Sequence, residues 1–350
     1  MTAAMPRALV LLLGAAATVI TVAGLKSIAW LAAPVLLALV IVIAVSPVHR
    51  WLRRVGLPSW AATSVLVVLV YGTLVAFAVV TFVSLAQLAA TLPKYADRFD
   101  GVVGDATRAL QGMGIAPEQV RDAMAGVDLG KIIPYVGAIV KDLTGLTTSL
   151  VFLLALLLFM SIESTGVDVR LADIGADRPR MTAALRTFAK QTRGYLAVTT
   201  VFGLIIAVLD VIALALLGIP LSVLWGLLSF VTNYIPNIGF LMGVIPPAVL
   251  ALPVGGWQLT LAVVLVYWAV NFVVQSMIQP IYVGDSIGLS PVMTFVALVF
   301  WAWVLGPLGA LLAIPTTLLV MALLVDTDPR AGWATALTRH IKRTKRKDKA

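Results

Sequence analysis

The chain has 350 residues, 61% of them hydrophobic and 12% charged, with a mean hydropathy of +1.04; a water-soluble globular surface cannot be built from that mixture. It has no cysteine, and its only imidazoles, His49 and His340, sit among basic residues, so no disulfide, no zinc or haem centre and no other cofactor is expected. The formal charge of +9 comes from basic residues gathered in loops and tail, which orients a membrane protein and gives no reason to expect nucleic acid.

An apolar run from Ala8 to Leu25 follows Arg7 and has the look of a signal peptide. A second run, Ser27 to Val48, follows almost without a break, so the two are expected to stay as a helical hairpin. The cluster His49, Arg50, Trp51, Leu52, Arg53, Arg54 predicts a cytoplasmic turn, with the N-terminus on the same side. A third span, Trp60 to Leu88, leads outward and completes an N-terminal set of transmembrane helices over residues 1–90. From 91 to 145 the chain carries six basic and seven acidic residues. There Phe99, Val102, Val103, Ala106 and Leu110 share one face of an amphipathic helix, and a second helix is expected to start at Pro117. This extramembrane segment is expected on the outer face, as a packed or interfacial cap. Residues 146–193 comprise a fourth span, Leu146 to Ile162, and a cytoplasmic linker with six basic and four acidic residues. Between Gly194 and Val325 there is no lysine or arginine, and the only acids are Asp210 and Asp285; residues 194–325 are the expected transmembrane core. The tail, 326–350, has eight basic residues and is expected to be cytoplasmic.

Within that core, Pro220 and Pro236 are 16 residues apart, as are Pro291 and Pro307, and the second pair follows the first by 71 residues. Each pair brackets an apolar run that ends in a Gly/Pro break, at Pro236 and Gly239 and again at Pro307 and Gly309. Leu221 to Ile235 is 15 residues, about 22 Å as a helix against a hydrocarbon core of roughly 30 Å. Ile238 to Leu252 is equally short, so the pair is either a re-entrant hairpin or two short tilted spans. A full-length helix, Trp257 to Gln279, precedes the second copy. Each period therefore holds one crossing or three, and an odd number means consecutive copies enter from opposite faces. The fold class expected is all-α: a polytopic membrane protein with about eight hydrophobic helical segments and two inverted Gly/Pro-broken hairpins in its C-terminal half. Irregular backbone at membrane depth needs protein or water partners, so the two breaks are expected to face a shared interior, where paired interruptions of this kind mark transport sites.

Asp210 lies inside the fifth span, Gly194 to Leu217, where a carboxylate costs roughly 2.5–3.5 kcal/mol on insertion scales. Thr199, Gly203, Ala207 and Ala213 share its face, bordered by Ile206 and Leu214, a small-residue stripe suited to close helix packing. Desolvation works against an ionised carboxylate, which makes Asp210 either a carrier of a proton or cation or a neutral, hydrogen-bonded structural residue. Asp285, in the loop before Pro291, is a second ion-coupling candidate whose simpler role is a turn or N-cap. Tyr267, Asn271, Gln275 and Gln279 recur every four residues, with Tyr282 near the same face. They are candidates to line a solute path or to bond helices together. Asn233 and Asn237 flank the first break and either line the path or satisfy loose backbone.

The motifs Tyr234-Ile235-Pro236-x-Ile238-Gly239, Gln279-Pro280-x-x-x-Gly284, Gly288-Leu289-x-Pro291 and Gly306-x-x-Gly309-x-x-x-Ala313-x-Pro315 resemble the C-terminal half of the autoinducer-2 exporter family of PerM-like bacterial permeases. The N-terminal pair of spans and the charged segment before the fourth span are also similar. One departure is Ser290, where that family often carries histidine, which weakens a proton-linked role there. The resemblance implies an oligomeric, multi-pass transporter of a bacterial inner membrane, with some relatives linked to autoinducer-2 export and others to sodium/proton antiport. Residue pattern and resemblance together predict a secondary exporter or permease for a small polar solute, possible coupling ions being H+ or Na+, and no enzymatic activity. The alternatives are a Na+/H+ antiporter, a passive channel, an intramembrane aspartyl protease and a membrane scaffold; the protease lacks the Tyr-Asp motif, since Leu209 precedes Asp210.

Overall fold

In a computed structural model the described residues form eleven α-helices, and their regular elements are all helical. The structure describes residues 6–95, 143–236, 238–279 and 289–328, with isolated positions Arg98, Gly101, Gly104 and Arg108. The expected amphipathic helix at Phe99 to Leu110, the helix start at Pro117, Asn237, Tyr282, Asp285 and the basic tail beyond 328 lie outside the described residues.

Helices α1 (Arg7–Ser27) and α2 (Ala29–Arg54) meet at the single residue Ile28, which leaves the helical conformation. Helix α3 (Ser59–Thr91) runs into a short 3₁₀ turn, Leu92–Tyr95. Next come α4 (Leu143–Glu163), α5 (Val167–Asp177) and α6 (Pro179–Leu216). Four described helical stretches are long and apolar enough to cross a membrane: Ala29–Arg54, Ser59–Tyr95, Pro179–Leu216 and Gly239–Ile278. A fifth is added if Ser149–Glu163 and Val167–Asp177, bent by 63°, form one span. Trp30 and Trp51 are 74% and 61% exposed near the two ends of α2. Their 21-residue separation is about 31 Å along a helix, the thickness of a hydrocarbon core, and exposed tryptophans at that spacing match interfacial belts.

The second half of the segment 163–193 belongs to α6, which starts at Pro179 and continues for 38 residues without interruption. Nothing between Arg180 and Leu216 breaks a helix, and Pro179 occupies the first-turn position that suits proline. Beyond residue 196 the helix has two faces. Phe202, Ile206, Ala207, Asp210 and Leu214 are buried, while Val201, Leu204, Ile205, Val208 and Ile212 are exposed. An apolar outer face around a small, partly polar inner face is the pattern lipid requires.

The chain divides into two compact units, Met1–Thr63 with Ala155–Tyr195 and Asp285–Ala350, and Ser64–Leu154 with Leu196–Gly284. The second unit contains the first hairpin. Helix α7 (Ser222–Thr232) is shorter than the run Leu221 to Ile235, because Leu221 takes a left-handed conformation (φ 61°) after Pro220 and Pro236 forces Ile235 out of helix. Helix α8 (Gly239–Asn271) contains non-helical Gly255 and Gly256, the latter at φ 73°. This break separates the short arm from the long helix where Leu252 and Trp257 were expected to delimit them. The long helix ends in a π-helical segment, Phe272–Ile278.

The first unit contains the second hairpin: α9 (Pro291–Leu305), α10 (Pro307–Leu311) and α11 (Ala313–Leu324). Ser290 caps α9 by accepting from the Met293 amide at 3.2 Å, and Gly306 at φ 72° makes the break before Pro307. Helix α9 packs against α1, α2, α10 and α11, and Trp301 Nε1 donates to Thr317 Oγ1 at 2.9 Å.

Candidate functional site

The polar residues of the second unit converge on the first break. Asp210 on α6 is fully buried. Its Oδ2 accepts from Ser229 Oγ on α7 at 2.7 Å, and its Oδ1 has no hydrogen-bond partner. The Tyr267 hydroxyl on α8, also buried, lies close enough to Asp210 and Ser229 to interact electrostatically but makes no hydrogen bond of ordinary geometry. Two buried polar atoms without a hydrogen-bond partner are costly, which argues for a role beyond packing.

A second set of bonds fixes the break itself. Asn233 Nδ2 donates to the Thr199 carbonyl of α6 at 3.1 Å, and its Oδ1 accepts from Gln275 Nε2 of the π-helical segment at 2.9 Å. Gln275 Nε2 also donates to Asn271 Oδ1 at 3.0 Å, and Asn271 Nδ2 donates to the Tyr267 carbonyl at 2.9 Å. Tyr234 and Thr200 join through their hydroxyls at 2.6 Å. One asparagine thus ties the break both to α6 and to the end of α8, satisfying backbone and side chains at once.

Missing side chains make this proximity possible. A Cβ on Gly203 would lie 2.7 Å from Asn233 Nδ2, and one on Gly239 would collide with the Thr232 carbonyl. A Cβ on Gly243 would stand 3.2 Å from Thr232 Oγ1 and 3.3 Å from Ser229 Oγ, so glycine there leaves room for both hydroxyls. Against them lies a cavity of about 10 Å³, lined chiefly by Ser229, Thr232, Asn233, Tyr267 and Asn271, with Ile206 and Phe240 as apolar walls. That is about the least room in which a cavity holds one water molecule.

Of the residues singled out by sequence, Asp210, Asn233, Tyr267, Asn271 and Gln275 are brought together, along with Pro236 and Gly239 of the break. Gln279 is half-buried just past the π-helical segment and takes no part in the network. Asn237 and Asp285 lie outside the described residues, and Pro307 and Gly309 belong to the other unit. Sequence reasoning missed Ser229 and Thr232. Their signal was present: with Asn233 they fall at i, i+3 and i+4 of an otherwise apolar helix, where polar groups turn away from lipid. Among the described residues no cluster of three or more metal-ligating side chains occurs.

Several apolar crossings, a broken helix and a polar network enclosed at the break define a multi-pass helical membrane protein of the transporter class. Residues 11–327 match the AI-2E family transporter description, and the chain belongs to that family. It is 30% identical over 333 residues to a Haemophilus influenzae protein whose name assigns it to transport, covering 93% of this chain and 95% of that one. It is 29% identical over 309 residues to the AI-2 transport protein TqsA of Escherichia coli K12, covering 88% and 90% of the two chains. A Mycobacterium tuberculosis relative, likewise named for transport, is 28% identical over 326 residues, covering 88% and 87%.

Proposed function

We propose that this protein is a secondary exporter or permease for a small polar solute, with Asp210 as the group that couples movement to an ion gradient. One observation carries the reading: a fully buried carboxylate has one oxygen bonded to Ser229 and the other without a partner, beside a cavity lined by neutral hydroxyls and amides. A carboxylate that only held helices together would be expected to use both oxygens. Neutral donors and acceptors suit an uncharged polyol or carbonyl solute, and the name of the Escherichia coli relative makes autoinducer-2 the first solute to try. Sodium/proton antiport is the other activity consistent with a single titratable site. Odd crossing numbers per repeat favour inverted hairpins with both termini cytoplasmic in the bacterial inner membrane, and homo-oligomeric assembly is expected from the resemblance.

The test is flux in proteoliposomes under imposed proton or sodium gradients, with autoinducer-2 as probe. Asp210→Asn, which keeps the shape and an acceptor for Ser229, is expected to reduce gradient-driven flux at least tenfold. Unchanged gradient dependence in that variant removes the coupling role, and flux indifferent to every gradient in the unaltered protein makes it a passive channel.

A further inference from the structure

Asp210 is bonded to Ser229, but it is Ser229, not Asp210, that lines the adjoining cavity. We infer that Ser229 is a proton relay between that cavity and Asp210, so that the ion this site takes is a proton and not sodium. The inference rests on the reading of Asp210 as the coupling carboxylate and names its ion.

The geometry supplies each part of the step. Ser229 Oγ donates to Asp210 Oδ2 at 2.7 Å, an ordinary length for a hydroxyl hydrogen bond. A hydroxyl has one proton and two lone pairs, so while its proton points at Asp210 its oxygen can accept from a water in the cavity. A hydronium there hands a proton to Ser229 Oγ as Ser229 hands its own to Asp210 Oδ2. One O–H bond breaks and one forms at serine, leaving water, an intact serine and a neutral carboxyl. Reversal discharges the site by the same path. In the neutral state the new carboxyl proton is donated back to Ser229 Oγ, and Oδ1 remains an acceptor.

The surroundings argue against sodium. A hard cation needs a shell of several oxygens, whereas the polar groups facing Asp210 are the Ser229 hydroxyl from α7 and the Tyr267 hydroxyl from α8. Tyr267 is the one titratable side chain facing it among the described residues, and no lysine or arginine occurs from Gly194 to Val325. A cation held by the neutral oxygens of the cavity would stay apart from the charge, with Ser229 between them.

Infrared difference spectra of the full chain in liposomes test this without any solute. Acidification should raise a protonated-carboxyl band that Asp210→Asn abolishes. On transfer to heavy water, that band should exchange at least tenfold more slowly in Ser229→Ala than in the unaltered protein or Ser229→Thr. Equal exchange rates in all three overturn the relay. So does loss of the band on adding sodium chloride at constant pH to the unaltered protein, an arm that needs no variant to fold. Flux indifferent to Asp210→Asn, together with Ser229-dependent exchange, removes the coupling role and keeps the relay; Asp210-dependent flux with Ser229-independent exchange does the opposite.

Discussion

In the first hairpin a Cβ on Gly239 would strike the Thr232 carbonyl, and in the second a Cβ on Gly309 would strike the Trp301 carbonyl. Both arms thus turn back against the helix they have just left, close enough that only glycine fits. Around the first contact stand Ser229, Thr232, Asn233, Asn271 and Gln275, linked to Asp210 and to a water-sized cavity. Beside the second stands Leu305, and the buried polar groups of that stretch, Thr316 and Thr317, donate to helix carbonyls while Trp301 donates to Thr317. The same close backbone approach occurs at both breaks, while among the described residues a buried carboxylate and a carboxamide network stand only beside the first. A shared backbone turn therefore does not imply a shared set of polar groups, and the proposed site rests on the first break alone.

Substituting the two glycines probes what the copies share. Gly239→Ala and Gly309→Ala each force a methyl group against a backbone carbonyl that cannot swing aside, so each should cost about 3 kcal/mol, the upper part of the range for overpacking. Yield of monodisperse protein and thermal unfolding in detergent measure it. Tolerance of alanine at one position but not the other would break the equivalence of the two breaks.

A smaller effect separates their roles. Asn233→Ala removes bonds to the Thr199 carbonyl and to Gln275, whereas Trp301→Phe removes one bond to Thr317. At about 1 kcal/mol per bond, the first should lose roughly twice the stability of the second. Flux should fall severalfold in Asn233→Ala and stay within twofold in Trp301→Phe. Equal damage to flux would mean that the second hairpin also works on the solute.

This asymmetry was only partly legible in the sequence. Proline and glycine spacing located both breaks, and Gly255-Gly256 fell between the expected arm and the expected long helix, because each depends on φ/ψ limits that are local to the chain. Asp210 and the four-residue stripe were visible for the same reason: polar residues in an apolar run are counted without a fold. The partnership of Asp210 with Ser229 was not, since a serine in a helix satisfies itself as readily on its own backbone. Nor was the continuity of α6 from Pro179. Its first half is charged and its second apolar, so composition suggested a linker where the backbone has no reason to stop. The closeness of Gly203 to Asn233 joins residues 30 apart in sequence, which no periodicity reports.

That last contact yields the smallest predicted effect and the most discriminating one. A Cβ at Gly203 would lie 2.7 Å from Asn233 Nδ2, the end of a side chain that can move only by giving up its bond to the Thr199 carbonyl. Gly203→Ala should therefore destabilise the protein by about 1 kcal/mol through strain, offset in part by the roughly 0.8–1.0 kcal/mol by which alanine outranks glycine within a helix. Placed in Asn233→Ala, the same substitution meets no amide, the strain term vanishes and the helical preference remains. Its sign should reverse, from slightly destabilising to stabilising, in a double-mutant cycle read by thermal unfolding. A substitution that kept one sign in both backgrounds would mean that Asn233 does not hold α6 at this distance. The polar contrast between the hairpins would then lose the bond that ties the first break to the helix carrying Asp210.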